Sequence, residues 1–251
     1  MNSTASSSKR VFRPRLIPTL VMLPFLVTLL GLGTWQLERR VWKLGLIADM
    51  EERLAMPPAP LSELLPLGPA AAYRPVFAVG VYAHGNEMPL MARTYRGKNG
   101  EQIVTPLLLT ERGAGVDSVL VNRGWVPEAK SDPKTRPESQ PGGETVATGI
   151  LRWPSTPGTF TPDNDPARNQ WYWTDVHAMA EAADLSRPAP VVIDVGPNKA
   201  DPKALPIGGQ TIIDLPNDHL QYAITWFALA AVLLATYILS QRRPLDAPSS
   251  D

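Results

Sequence analysis

From Leu16 to Leu37 the chain reads "LIPTLVMLPFLVTLLGLGTWQL", 22 residues without one charged side chain. At the helical rise this run is roughly 33 Å long, enough to cross a bilayer core. Leu220 to Gln241, "LQYAITWFALAAVLLATYILSQ", is a second run of the same kind. Two such runs near the ends of one chain predict two transmembrane helices, 16–37 and 220–241, enclosing an external domain, 38–219. The first run follows a basic leader, "KRVFRPR", as a signal peptide would. It is longer than a typical signal core, however, and no A-x-A-like site follows it, so it is expected to be an uncleaved anchor.

The flanking charges predict orientation. Lys9, Arg10, Arg13 and Arg15 precede the first run, Arg242 and Arg243 close the second, and Asp214 and Asp218 open it. Basic flanks stay on the cytoplasmic side. The tails, 1–15 and 242–251, are therefore expected in the cytoplasm and residues 38–219 outside. Arg39, Arg40 and Lys43 run mildly against this, and the less ambiguous second run decides it. The short leader favours a bacterial inner membrane, with a periplasmic domain, over an organelle.

Net charge is zero, so no basic field points to nucleic acid. The chain has no cysteine. That excludes disulfides, thioether-linked haem, iron–sulfur clusters and cysteine-ligated zinc. Metal chemistry would have to rest on His, Met, Tyr or carboxylates. There is no G-x-S-x-G, H-E-x-x-H or P-loop, and the expectation is a protein that is not an enzyme. Of the three histidines, His84 sits in a hairpin-turn stretch, "YAHGNE", and His177 on a predicted helix surface. Both are expected to be structural or solvated.

Between the runs, the first helix is predicted to continue as "ERRVWKLGLIADMEERLAM" and to stop before Pro57-Pro58, with Leu44, Ile47, Met50 and Leu54 at helical spacing. A proline-rich connector follows, and then the period changes. Residues 74–83, 87–95, 101–110, 117–126 and 144–153, with "PVVIDV" and "TIIDL" later, read as strands. "YRGKNGEQ" is a turn, 127–143 a proline-rich loop, and a short helix starts near Thr174, capped by Thr174 or Asp175. The fold class is α+β: a mainly antiparallel sheet, curled toward a barrel, with one or two helices, flanked by two transmembrane helices.

His219 stands where polar sequence meets the second apolar run, in "NDHLQYAITWF". On a helix, Tyr222, Ala223 and Trp226 follow at i+3, i+4 and i+7, so one face offers an imidazole, a phenol, a small gap and an indole. Such a surface suits a flat apolar cofactor with one metal-binding face. An interfacial belt of aromatic residues with a solvated histidine suits it too. At the end of the first run, Trp35 and Arg39 lie one turn apart at a depth matching His219. Gly31 and Thr28 below them would let a neighbouring helix approach. Arg39 could pair with a carboxylate or simply snorkel. In the domain, "VLVNRGWVP" (119–127) breaks strand alternation at Asn122-Arg123-Gly124-Trp125.

These stretches together resemble the surfeit locus protein 1 family. "GTWQLER" is similar to the family's G-x-W-Q-x-x-R ending of the first span, and "VLVNRGWVP" to its central strand motif. "NQWYWTDVHAMA" resembles its Trp…Asp…Met-Ala segment, and "NDHLQYAITWF" its opening of the second span. Asp218 stands where the family commonly has asparagine. The resemblance implies a cytochrome oxidase assembly factor that binds haem a and assists its insertion into the oxidase core subunit. His219 would be the iron ligand, and Tyr222, Trp226, Trp35 and Arg39 would line the cofactor. The implied partners are that core subunit, haem a synthase and membrane lipid. A scaffold that holds an assembly intermediate without haem is the alternative reading, and a tethered periplasmic enzyme a more distant one.

Overall fold

The computed structural model describes residues 10–111, 113–154, 156–211 and 216–244. The expected strand "TIIDL" falls mainly on 212–215, outside the described residues, as do the flanking Lys9 and Asp214. In chain order the elements are β1 (Arg10–Phe12), α1 (Leu16–Ala55), β2 (Ala59–Pro60), α2 (Leu61–Leu64), β3 (Pro75–Tyr82), β4 (Met88–Tyr95), β5 (Lys98–Leu109), β6 (Ser118–Pro127), β7 (Glu144–Arg152), α3 (Val176–Ala182), β8 (Pro188–Val195), α4 (His219–Ser240) and β9 (Arg242–Pro244). They form two compact units, 1–48 with 214–251, and 49–213. The fold class is the α+β arrangement expected from the sequence.

In the first unit, α1 and α4 are both long and apolar enough to cross a membrane. As expected, α1 runs on well beyond its uncharged stretch and ends just before Pro57-Pro58, which cannot continue a helix. Its more buried side is Met22, Leu26, Leu29, Gly33, Gln36 and Arg40, in strict steps of four and three. On α4 the matching side is His219, Ala223, Trp226, Ala230, Leu233 and Tyr237, in the same steps. A 3.5-residue repeat on both helices is the pattern of a left-handed coiled-coil seam.

Small residues set how closely this seam packs. A Cβ built on Gly33 would lie 2.6 Å from the Phe227 ring, whereas one on Gly31 meets nothing within 4 Å. The close approach expected at Gly31 and Thr28 is therefore made at Gly33. Thr28 instead turns its hydroxyl back to the Pro24 carbonyl of its own helix. The far end of the pair is closed by polar contacts. The Arg15 N–H donates to Gln241 Oε1 at 3.1 Å and the Arg13 N–H to the Gln241 carbonyl at 3.0 Å. β1 and β9 pair antiparallel beside them.

The second unit is a seven-stranded sheet in the order β2-β3-β7-β8-β6-β5-β4, closed by a further β3–β5 pairing. β3, β7, β8, β6 and β5 thus make a five-stranded barrel, with β4 and the two-residue β2 pairing outside the closed ring. Six strands lie where alternation places them. All pairings are antiparallel except β6–β8 and β2–β3. The turn between β4 and β5 is two residues, Arg96 (φ 49°) and Gly97 (φ 75°). Two left-handed residues in a row match the twist of a tight hairpin.

Alternation sorts the side chains into two cores. Val76, Ala78, Leu107, Val119, Val121, Ala147, Leu151, Val191 and Ile193 fill the barrel, plugged by Leu61, Leu64 and Ala71. On the outer face Met88, Leu90, Val104, Leu120 and Val192 receive Trp171 and α3, through Val176 and Met179. Each such side chain, fully buried, stabilises by about 1.5–3 kcal/mol. α3 begins at Asp175, one of the two caps expected, whose carboxylate accepts from the Ala178 N–H.

Three register shifts interrupt this regularity, and two of them are single-residue bulges. On β6 the register shifts between Ile103↔Gly124 and Val104↔Asn122, so one extra residue enters at Arg123-Gly124. Gly124 has φ 120°, and a Cβ there would stand 2.1 Å from the Ile207 carbonyl oxygen. This is the physical content of "NRGW": only glycine fits. On β4 the shift lies between Leu90 and Arg93, with Ala92 at φ 55°. An extra residue reverses the facing of everything after it.

Candidate functional site

His219 opens α4, half-buried in the seam. Its Nδ1 lies 2.7 Å from Oε1 of Gln36, one helix across. With the amide oxygen as acceptor, the Nδ1–H is the donor, and in the neutral imidazole this tautomer leaves the Nε2 lone pair free. A histidine held in this way has a fixed tautomer and ring plane, the arrangement that orients metal-ligating imidazoles elsewhere. The depth match expected from the sequence is present, but the residue facing His219 is Gln36 rather than its neighbour Trp35.

Of the other predicted residues, Trp226 belongs to the seam series, and Trp35, Arg39 and Tyr222 lie beside it. Trp35 is 53% exposed and Tyr222 55%. Arg39 is exposed as well, its guanidinium stacked 3.8 Å over the Trp42 ring one turn along. Trp226 is half-buried and lines a groove of about 450 Å³ with Phe25, Thr28, Leu32, Leu229 and Thr236. Stepping by threes and fours, Phe25, Thr28 and Leu32 lead on α1 to Trp35 and then Arg39. On α4, Thr236, Leu229 and Trp226 lead to Tyr222. Of the predicted residues only Trp226 lines the groove itself; Trp35, Arg39 and Tyr222 continue its two rows by helical spacing, and His219 lies two turns beyond Trp226 on α4.

Chemically, the arrangement offers one oriented imidazole nitrogen, aromatic walls, a guanidinium above and an apolar channel below. That combination suits a planar apolar group with a metal centre and carboxylates at one edge. Gln36 is the member that periodicity did not single out. Its signal was its place in the 22-26-29-33-36-40 series, a polar side chain on an otherwise helix-packing line.

In the second unit, His84 belongs to a buried charge cluster. Glu87 accepts from Arg123 at 3.1 Å and from Arg136 at 2.5 Å, and His84 Nδ1 lies 3.6 Å from the same carboxylate. Arg136, fully buried, also donates to the Lys130 carbonyl and the Ser139 hydroxyl. Arg123 also reaches the Ser139 carbonyl and lies 4.9 Å over the Tyr82 ring. Burial pulls the Arg123 guanidinium below its usual value, while Tyr82 and Glu87 hold it up. Burial likewise raises the Tyr82 phenol. This cluster pins the proline-rich loop, 128–143, to β6. His177 lies exposed on α3. Among the described residues no three His, Asp or Glu side chains converge as a metal site.

The model of the SURF1 family matches residues 23–231. Surfeit locus protein 1 of Homo sapiens is 39% identical over 230 residues, covering 84% of this chain and 73% of the human protein. Its Xenopus tropicalis counterpart is 37% identical over 234 residues, covering 87% and 73%. A SURF1-like protein of Monosiga brevicollis is 37% identical over 256 residues, covering 96% and 93%. The matched region takes in most of α1, more than half of α4 and the whole intervening β-barrel. With two apolar spans, an intervening β-barrel and relatives this similar over most of its length, the chain belongs to the SURF1 family.

Proposed function

We propose that this membrane protein is an assembly factor for haem–copper cytochrome oxidase that holds haem a at the outer end of its helix pair and passes it to the oxidase core subunit. The observation that carries the reading is the His219–Gln36 hydrogen bond. It fixes one imidazole nitrogen and leaves the other available to iron, two turns beyond Trp226 in a groove whose rows continue by helical spacing to Trp35, Arg39 and Tyr222. When bound, the haem supplies iron for the imidazole and carboxylates for a guanidinium. The chain supplies orientation through Gln36, a cation through Arg39, and apolar walls that exclude water. In this role the protein carries a cofactor and catalyses no reaction.

The same unit supports the proposed topology. Arg13, Arg15 and Arg242 lie together at the end of the helix pair opposite His219, where β1 meets β9. Basic flanks on one side support cytoplasmic termini and a periplasmic barrel in an inner membrane.

The test is an absorption spectrum of the full chain purified from cells that make haem a. The wild type is expected to carry haem, and His219→Ala to lose it or shift its bands. Identical spectra would remove His219 as ligand. Colourless wild-type protein that still co-purifies with the core subunit would favour the scaffold reading.

A further inference from the structure

The β4 bulge has placed a cation, Arg93, in a pocket whose carboxylate, Asp194, is already paired with Arg152. Arg93 follows the extra residue and so shares the face of Leu90, beside Gln102, Asn122 and Asp194. These side chains, with Arg152, line a pocket of about 310 Å³ walled by Trp153 and Trp173. Its carboxylate and the side-chain oxygens of Gln102 and Asn122 are already engaged. Asp194 Oδ1 accepts from Asn122 at 3.1 Å, and its Oδ2 accepts from Thr211 at 2.8 Å and Arg152 at 3.3 Å. Gln102 Oε1 accepts from Asn122 at 3.2 Å, and Asn122 Oδ1 from the Gly124 N–H. What remains is the Arg93 guanidinium beside neutral groups such as Gln210 and Thr174. Among the described residues, the side chain of Arg93 makes one hydrogen bond, to the Tyr172 carbonyl at 2.9 Å, and no ion pair. A guanidinium has five N–H groups, so most of its capacity faces no protein acceptor. Burial has already lowered its proton affinity.

A second, larger and mainly apolar cleft of about 790 Å³ adjoins this pocket through Pro154, Trp173 and Thr174, and continues along Val176, Ala180 and Leu185. We infer that the two together bind a small amphiphilic carboxylate, its head on Arg93 and its apolar body along Trp173 and α3. A half-buried cation without an ion pair selects an anion, and a carboxylate matches a guanidinium in the plane. The adjoining apolar wall selects a hydrophobic body, and the sizes are those of small-molecule sites. A peptide strand is disfavoured because β5, β6, β7 and β8, which carry the floor, are paired on both sides, and the edge of β4 is bridged at Leu90-Met91 by Trp171. The inference uses no residue of the helix pair and stands apart from the haem reading.

The test uses the full chain in lipid nanodiscs, titrated calorimetrically with 4-phenylbutyrate and with its uncharged counterpart 4-phenylbutanol, with empty nanodiscs subtracted. The carboxylate is expected to bind one-to-one and about tenfold more tightly than the alcohol. Arg93→Gln is expected to erase that preference, and His219→Ala to leave it intact. Equal affinity for the two probes in the wild type overturns the inference, and this comparison needs no variant to fold. A preference that survives Arg93→Gln, or is lost in His219→Ala, places the carboxylate elsewhere and overturns it as well.

Discussion

The helix pair and the barrel treat their buried polar groups in opposite ways. In the barrel, both oxygens of Glu87 are taken by arginines, and Arg136 is shared further between a carbonyl and a hydroxyl. In the helix pair, His219 has one nitrogen engaged and one open. A fully satisfied network rigidifies a fold, because every group it buries would otherwise cost free energy. A group held on one side only is oriented without being consumed. The contrast separates residues that keep the chain folded from residues kept ready for something else.

Three substitutions can break or sharpen that contrast. The largest effect is expected for Glu87→Ala, which leaves two buried guanidinium groups without their carboxylate and should destabilise the barrel by about 3–5 kcal/mol. Denaturant unfolding measures this, and a loss well under 1 kcal/mol would show that the cluster is not structural. Gly33→Leu comes next. Its side chain must displace the Phe227 ring, at about 1–3 kcal/mol. Thermal unfolding should fall by ~2–4 °C for each kcal/mol, since the chain has 251 residues. Gln36→Ala should be mildest for stability, about 0.5–1.5 kcal/mol for one hydrogen bond. It should nevertheless shift the spectrum of haem-loaded protein, because the imidazole loses its fixed plane. An unmoved spectrum with a large stability loss would make His219 a seam residue and nothing more.

Much of the fold was legible because its signals are periodic. The two spans, the extension of α1, six strands and the Asp175 cap follow from runs, alternation and capping chemistry. Rotation about a helix axis was harder to read. Trp35 and Gln36 differ by about 100° on α1, and in a span whose flanks also face lipid the apolar pattern does not say which side meets the partner. The spacing therefore points to Gly31 and Trp35, whereas the pair uses Gly33 and Gln36. The bulges were opaque for another reason. "NRGW" looked irregular, yet the reason, a carbonyl lying where a Cβ would sit, belongs to the distant Ile207. Pairing of Glu87 with Arg136 joins β4 to a loop 49 positions away, and no local spacing encodes it.

Ala92 gives the β4 bulge a consequence beyond geometry. It carries no charge and no polar side chain, yet it determines that Arg93 shares a face with Leu90. The electrostatic character of that wall is thus set by a parity, an odd or even number of residues along one strand. Chemistry-preserving substitutions can leave it untouched. A change of length by one residue, with composition otherwise intact, would reverse it.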